Sequence, residues 1–402
     1  MKYDFPLIEN ISDVLPHIQD SPEFIVAERD GYTVINYQVV TPDTFPSTKV
    51  AGGSAKMRKE RTLTAAIRRE CRGIIFDSET GDIIRRPFHK FFNANENPET
   101  QANNIDFDAE HEILDKLDGS MIAPFKVNGR TIWGTKMGDT DVAQPVHEFV
   151  RRNGNYELLA KAAFSLGMTP IFEWCSRQQR IVLDYAEDQL ILVALRDMKT
   201  GVYEDYGIMA EMGELYDIPV VSTNPKFDDM NKLIEFVRGI IDGEGFVVRF
   251  ADGHMVKVKS DWYVAIHKAK EKILWDRNIV KMIIDNDLDD VRAHLPKEDQ
   301  IRIDQFEVDF WKRVRAIELD LLVQYVDMVT KSRGDRKTFA TQYADKLDPF
   351  FKQIMFRIWG QPNPVIDDVR PLIMDIVERH TGRNTAWDEL RDKWFPGLRF
   401  NR

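Results

Sequence analysis

Cysteine is almost absent from this chain, which has only Cys71 and Cys175 among its 402 residues. Two thiols cannot build a disulfide framework or a cysteine-rich zinc module, and their scarcity fits a reducing compartment. Long apolar runs are also absent, so no membrane span is expected. The first ten residues carry acids where a signal peptide needs an apolar stretch. These absences together predict a cytoplasmic protein.

Net positive charge is lacking as well, since the formal net charge is −11. This balance argues against a passive nucleic-acid coat protein, although binding depends on local patches rather than on the total. Residues 51–90 form one such patch, with ten Lys or Arg against five Asp or Glu. A basic zone suits a phosphate-bearing ligand. A solvated helix face would give the same composition.

Two kinds of hydrophobic periodicity divide the chain near Tyr263. Before it, short alternating stretches joined by Asp-Gly, Asn-Gly or Thr-Gly turns predict antiparallel hairpins at 24–40, 71–92, 121–137 and 244–263. After it, apolar residues recur at helical spacing, most clearly in the stripe from Phe306 to Met328. The length suits two domains. We therefore predict an α+β fold, with a mostly antiparallel domain at 1–263 and an all-helical domain at 264–402.

The remaining elements are predicted from the same patterns. Residues 41–56 are rich in Pro, Ser, Thr and Gly and indicate a loop. Further short strands are expected at 170–176, 180–185 and 190–197. Helices are expected at 57–69, 146–166, 228–241, 336–347, 349–359, 365–380 and 386–394.

A lysine at the end of a predicted strand is the first candidate for chemistry. In KLDGS, from Lys116 to Ser120, the strand HEILD runs into a turn at which glycine permits unusual backbone angles. The amine of Lys116 should therefore lie at the edge of a sheet. An ordinary lysine pKa of about 10.4 keeps the amine protonated and unable to attack. Burial or neighbouring cations would have to lower that pKa before Lys116 could act as a nucleophile.

Two further lysines could supply those cations. Lys257 and Lys259 are two residues apart in the strand MVKVKS and must project from the same face. Ammonium groups directed into one pocket would depress the pKa of a third lysine and neutralise phosphate oxygens. An exposed edge strand could carry the same lysines only to prevent aggregation.

Two acids stand in otherwise apolar segments. Glu173 lies in PIFEWCS and Glu244 in GEGFVVRF. A carboxylate in such a strand must be paired, linked to a metal or directed into a polar pocket, so ribose, hydrated magnesium and a structural salt bridge all remain open. Arg72 and Lys90 are basic residues at strand ends and suit phosphate contact. Aromatic residues such as Tyr37 and Phe92 could flank a base, or serve only the core.

In order along the chain, these signals resemble those of a known superfamily. KxDG, an acid in an apolar strand, EGxVV and KxK together resemble the covalent nucleotidyltransferases, which include DNA ligases, RNA ligases and mRNA-capping enzymes. The stretches ECRGIIFD (70–77), KFFNANENP (90–98) and KVKSDWY (257–263) are similar to the phage RNA ligase 1 family, the tRNA-repairing ligases of T-even phages. RIVLDY (180–185) and GDRKTFA (334–340) extend the match. Residues 41–68 look longer than the family's usual connection.

The resemblance implies a role for each candidate residue. Lys116 would become adenylylated, with Glu244 and Tyr263 also essential for catalysis, although Leu117 stands where one family form has an acid. Asp289 falls where the family places a metal-associated aspartate, but it could equally cap a helix. The residues implied to contact ATP or AMP, beside Lys116 itself, are Tyr37, Arg72, Lys90, Lys136, Glu173, Lys257 and Lys259.

The resemblance also implies an architecture and a reaction. Residues 1–263 would be an ATP-grasp-like, antiparallel-sheet nucleotidyltransferase domain, and residues 264–402 an all-helical domain for RNA specificity. The enzyme would be a monomeric, ATP-dependent, single-stranded RNA ligase that uses magnesium or manganese. It would join 5′-phosphate to 3′-hydroxyl ends in RNA repair, with cleaved tRNA as one substrate, in the cytoplasm of a host if it is phage-encoded.

Three other functions compete with this interpretation. A DNA ligase or capping enzyme shares the motifs but usually continues into a small β-barrel, whereas this chain becomes helical. A non-catalytic nucleotide- or RNA-binding protein would keep the fold without forming a covalent adduct. A protein kinase is disfavoured, because the sequence has no glycine-rich loop and no HRD-type segment.

Overall fold

The computed structural model describes residues 4–49, 52–361 and 363–400. Residues 50 and 51 of the predicted loop 41–56, and the first three of the N-terminal stretch, lie outside this description. The chain divides into two units, Met1–Val264 and Ala265–Arg402. The first mixes helices with antiparallel sheets and the second is helical, so the α+β class is confirmed at this level. Among the described residues, no helix is both long enough and apolar enough to cross a membrane.

In the described part of the first unit, twelve strands form three four-stranded sheets. The first has the order β1 (Phe24–Arg29), β2 (Tyr32–Tyr37), β3 (Arg72–Asp77), β4 (Ile83–Arg85). The second has the order β10 (Gln189–Asp197), β9 (Met168–Cys175), β7 (Ser120–Val127), β8 (Arg130–Gly134). The third has the order β5 (Phe92–Asn93), β12 (Met255–Lys259), β11 (Gly245–Phe250), β6 (His111–Asp115). All neighbours are antiparallel except β5 and β12, which are parallel. The predicted hairpins therefore form.

The helices of the first unit are α1 (Ala55–Glu70), α2 (Gln144–Arg152), α3 (Asn155–Ser165), α4 (Tyr206–Leu215) and α5 (Met230–Arg238). The helix predicted at 146–166 is wrong as a single element, because it breaks at Asn153 and Gly154, two residues with poor helix propensity. The strand predicted at 180–185 is also wrong. This segment is irregular, because the backbone amides of Val182 and Leu183 donate to a side chain rather than to a neighbouring strand.

The register of the third sheet sorts its residues onto two faces. Leu114, Val247 and Lys257 lie side by side across β6, β11 and β12. The intervening residues Ile113, Val248 and Val256 point the other way, into a core with α5. Lys257 and Lys259 share the face of the first row, as strand parity predicted.

The second unit contains α7 (Asp276–Asp285), α8 (Leu288–Arg292), α9 (Lys297–Lys331), α10 (Arg336–Thr338), α11 (Pro349–Ile358), α12 (Ile366–His380) and α13 (Asn384–Trp394); α6 (Asp261–Lys272) begins in the first unit. Along α9, the predicted apolar stripe is buried from Phe306 to Tyr325 and packs against the later helices. The helix predicted at 336–347 is only partly α-helical, since a π-helical turn at Phe339–Tyr343 and a 3-10 turn at Ala344–Lys346 follow α10.

Candidate active site

The turn after β6 carries Lys116 and is fixed by backbone pairing. The Lys116 N–H donates to the carbonyl of Gly245 at 2.8 Å, so the lysine continues the pairing of β6 with β11 by one residue. Gly119 allows the turn to approach β9 closely, because a Cβ at this position would lie 2.4 Å from the carbonyl oxygen of Trp174. This approach brings Glu173, the neighbour of Trp174, to the same side as Lys116.

Asp118 anchors the turn from within. Its carboxylate is 3 % exposed and accepts 2.7 Å hydrogen bonds from the amides of Val182 and Leu183. It also accepts a 2.6 Å bond from the hydroxyl of Tyr263, and its own amide donates to the hydroxyl of Tyr185 at 3.0 Å. Four hydrogen bonds therefore hold the residue two positions after Lys116.

Glu244 joins two of the lysines that the sequence singled out. Its carboxylate oxygen Oε1 lies 2.8 Å from Nζ of Lys116 and 2.9 Å from Nζ of Lys259. The Glu244 side chain is 3 % exposed, so two cations compensate the cost of burying the anion. Both amines therefore lie within hydrogen-bond distance of one oxygen atom.

A cavity of about 250 Å³ opens beside this group. Its charged lining residues are Arg72, Asp115, Lys116, Glu173, Arg249, Lys257 and Lys259. Its apolar lining includes Phe88, Phe91, Val193, Val221, Val247 and Met255. Several cations together with apolar and aromatic walls suit a ligand with phosphate groups and a heterocyclic ring.

Two ionisable groups that line the cavity, Lys257 and Glu173, have shifted pKa values. Burial lowers the pKa of Lys257 to about 7, with help from the charges of Lys90, Lys116 and Arg72. Burial also raises the pKa of Glu173 to about 7, although Lys116 opposes this. The lysine cluster thus depresses a lysine pKa as the sequence argument required, but the structure shows the effect at Lys257. The expectation for Lys116 itself stays a prediction.

A basic group adjoins the cavity at Arg72. The Nζ atoms of Lys90 and Lys136 lie 5.5 and 5.3 Å from the ring centre of Tyr37. Burial alone would raise the pKa of Tyr37, but Arg72, Lys90 and Lys136 outweigh it and the pKa falls below its ordinary value. Lys136 is brought here by Gly73, whose φ is +89° and at which a Cβ would lie 2.7 Å from the Lys136 carbonyl oxygen. Three cations therefore surround one phenol.

Comparison with known proteins identifies relatives of this chain. A family model described as RNA ligase matches residues 70–263. A putative RNA ligase of Thermovibrio ammonificans is 30% identical over 298 residues, which cover 70% of this chain and 71% of that protein. The chain belongs to the RNA ligase family. RNA ligase 1 of bacteriophage TS2126 is 27% identical over 265 residues, which cover 63% of this ligase and 61% of the phage protein.

These relatives confirm the predicted membership of the phage RNA ligase 1 family, and with it the prediction of an RNA-joining enzyme. A solved archaeal ATP-dependent RNA ligase is also similar, at a TM-score of 0.40 and 14% identity, over 64% of this chain and 62% of that one. The assignment of this ligase to its family depends on the sequence relatives and not on that structural likeness.

The geometry of this ligase groups most of the candidate residues. Lys116, Glu173, Glu244, Lys257, Lys259 and Arg72 lie at the cavity, and Tyr37, Lys90 and Lys136 lie in the adjoining basic group. Tyr263 is buried behind the Lys116 turn, where it bonds to Asp118 and has Nζ of Lys259 5.0 Å from its ring centre. Its position suits the support of the turn rather than contact with a substrate.

Two candidates are not brought into this group. Phe92 is buried in the core beneath Lys90 and does not line the cavity. Asp289 lies on α8 in the second unit, where its exposed carboxylate pairs with Arg292 at 3.0 Å. In the described ranges no three His, Cys, Asp or Glu residues come together to hold a metal ion. The metal role of Asp289 therefore stays a prediction.

Sequence reasoning missed three residues of the site. Phe88 and Phe91 line the cavity, whereas the sequence predicted Phe92 as the aromatic residue beside a base. The run PFHKFF contains all three phenylalanines and could have indicated the other two. Asp118 was noted only as part of the KxDG pattern. Asp118 anchors the turn through its bonds to the loop at 180–185. That loop was predicted as a strand because its sequence is apolar.

Proposed function

We infer that this RNA ligase uses ATP and joins RNA ends through a lysine–AMP intermediate on Lys116. One observation carries the proposal. The Lys116 amine lies at the charged end of a cavity with apolar walls and is held by a carboxylate that it shares with Lys259.

The first step is an attack by Nζ of Lys116 on the α-phosphorus of ATP. A nitrogen–phosphorus bond forms, the bond from that phosphorus to the bridging oxygen breaks, and pyrophosphate leaves. The amine must lose its proton, and Glu244 at 2.8 Å is positioned to accept it. Arg72 and Lys259, together with Lys257 once the phosphates have drawn a proton onto it, provide positive charge for the phosphate oxygens. Such charge neutralisation is the main contribution a protein makes to phosphoryl transfer.

A magnesium or manganese ion fits this site as a partner of the nucleotide. Magnesium is commonly bound by one or two carboxylates, substrate phosphates and water rather than by a protein cage. Glu173 in the cavity is the carboxylate that would hold it, beside Glu244. The ion would neutralise phosphate charge. Glu173 could alternatively accept hydrogen bonds from ribose hydroxyls.

The next two steps pass AMP to the 5′-phosphate of RNA and then replace it with a 3′-hydroxyl of another end. The AMP bond moves from Lys116 to the phosphate, and the attacking hydroxyl expels AMP as the new phosphodiester forms. The basic group of Tyr37, Arg72, Lys90 and Lys136 would contact the phosphates during these steps.

We assign RNA specificity, with cleaved tRNA as a substrate, to the helical residues 264–402. We also assign an ATP-grasp-like fold to the first unit, and a monomeric state and cytoplasmic location to the protein.

The experiment offers ATP and magnesium with three substrates: single-stranded RNA ending in 5′-phosphate and 3′-hydroxyl, the same sequence as DNA, and nicked duplex DNA. The proposal predicts joined RNA, and adenylylated 5′ ends when the 3′-hydroxyl is blocked. Preferred sealing of nicked DNA would favour a DNA ligase. Binding of ATP without adenylylation or joining would favour a nucleotide-binding protein.

A further inference from the structure

Arg249 lies at the opposite end of the cavity from Lys116. It is on β11, where Gly245 faces Lys259, Val247 faces Lys257 and Arg249 faces Met255. These alternate residues share the cavity face of the sheet, and both Arg249 and Met255 line the cavity. At about 3.4 Å per residue, Arg249 is roughly 14 Å along the strand from the row that contains Lys259. The span from the charged end to Arg249 is comparable to that of a mononucleotide.

One nitrogen of the Arg249 guanidinium, Nη1, lacks an acceptor. Arg249 is 6 % exposed, and its buried Nη1 has no hydrogen-bond partner in the described parts of the chain. Its pKa falls below the ordinary value because of burial. Arg85, which is fully buried, donates instead to the carbonyls of Gly73, Ala123, Gly134 and Thr135. Because unpaired buried donors are costly and uncommon, the missing acceptor is expected on a ligand.

The surroundings restrict what that ligand can be. Between Arg249 and the lysines the walls are apolar, with Phe88, Phe91 and Val247, which suits a flat ring rather than a second phosphate. On its other side Arg249 borders a cleft with the acids Glu110, Glu112, Glu204 and Asp205, which disfavours an anion there. The part of the nucleotide that reaches Arg249 is therefore the base.

An acidic residue is the neighbour of Arg249 on the adjacent strand. Glu112 lies directly opposite it across β6 and β11, and cross-strand neighbours have Cβ atoms about 5 Å apart. Arginine only donates hydrogen bonds, whereas an ionised glutamate only accepts them. Glu112 lines the cleft rather than the cavity, so within the cavity this part of the sheet offers the base a donor. The ring nitrogens of adenine accept from such a donor, as O6 and N7 of guanine also do, so the choice of adenine follows from the use of ATP.

We propose that Arg249 holds the base of the nucleotide in place, by donating a hydrogen bond from Nη1 to a ring nitrogen of adenine. The proposal rests on the use of ATP by Lys116 and adds the residue that recognises the base.

The test measures the KM and kcat of protein adenylylation with ATP, GTP and the 1-deaza, 3-deaza and 7-deaza analogues of ATP. In the wild type, we expect one of the three deaza analogues to raise KM by about tenfold to a hundredfold, the range of a hydrogen bond from a charged donor. In Arg249→Met, ATP itself should be weakened by a similar factor, and that analogue should bring no further loss. Arg238→Met, which removes an exposed arginine on α5, should retain the wild-type pattern.

The outcomes separate the inference from the function on which it depends. If the wild type uses all three deaza analogues as well as ATP, Arg249 does not read a ring nitrogen. An equal deaza penalty in the wild type and in Arg249→Met would also overturn the proposal. If Arg249→Met does not fold, Arg249→Leu, which also removes the donor, gives the same comparison of penalties. A wild type that takes no AMP from ATP at all would overturn the proposed function instead.

Discussion

At the scale of single residues, the site combines charges that would repel each other with carboxylates that hold them together. Lys116 and Lys259 meet at one oxygen of Glu244, and Lys257 beside them has a pKa of about 7 because of burial and the cations around it. Cations this close together repel one another in an empty pocket, whereas a bound polyanion would stabilise them. The cost of assembling the cations is offset when phosphate oxygens enter.

The pKa of Lys257 predicts that nucleotide binding takes up a proton. At pH 8 most Lys257 side chains are neutral in the free protein, since this pH is above about 7. Phosphate oxygens favour the charged form and raise the pKa, so binding should draw in up to about one proton per site. At pH 5.5 Lys257 is already charged, and the uptake should disappear.

Calorimetry with α,β-methylene-ATP, in two buffers with different heats of ionisation, measures this uptake. Lys257→Met is the reference, because it lacks the titrating group. The wild type should take up more protons than Lys257→Met at pH 8 and the same number at pH 5.5. Equal uptake by both proteins at pH 8 would contradict the assigned pKa.

At the scale of elements, a strand end, a turn and an irregular loop together present Lys116. The strand parity of β12 and the end of β6 could be read from the sequence, because alternation and turn residues are local signals. The loop at 180–185 could not be predicted from the sequence, because its backbone amides bond to Asp118, more than sixty residues earlier in the chain. Phe88 and Phe91 were missed for the same reason, since local pattern does not say which of several aromatic residues faces a cavity.

The loop predicts a specific effect of Tyr185→Phe. This change removes the hydroxyl that accepts from the amide of Asp118 at 3.0 Å. The turn should lose about 1 kcal/mol of support, and adenylylation should slow by about three- to tenfold. The rate is measured from quenched time courses of AMP transfer to the protein.

Tyr156→Phe is the matched control. Tyr156 donates a 2.9 Å hydrogen bond to the carbonyl of Leu190 and does not line the cavity. It should cost similar stability with little change in the rate of adenylylation. Equal slowing in both variants would mean that the effect at Tyr185 is general destabilisation rather than support of the turn.

At the scale of the whole molecule, the two units have separate hydrophobic cores. The sequence predicted more of the helical unit than of the unit that contains the sheets. The apolar stripe of α9 was visible in the sequence, because a helix that packs on one side repeats its pattern at 3.6 residues. The division near residue 264 follows from the change of period. The order of strands within the three sheets was not predictable, since it depends on pairings between distant segments.

The core of the second unit predicts the effect of Phe310→Ala. Phe310 is fully buried and stacks on Phe395 with ring centres 5.3 Å apart. Its removal should lower the free energy of unfolding of that unit by about 3–5 kcal/mol, measured by denaturant titration. Leu319→Ala, on the same helix but 50 % exposed, should change it by less than about 0.5 kcal/mol. Similar losses in both variants would be inconsistent with the described packing of α9.

The transfer of AMP from ATP to Lys116 tests the central claim most directly. The protein is incubated with magnesium and ATP labelled at the α-phosphate, and the label is located by peptide mapping. We expect label on Lys116, none on Lys116→Ala, and wild-type labelling of Lys126→Ala, which removes an exposed lysine on β7. An unlabelled wild type, or undiminished label on Lys116→Ala, would contradict the account.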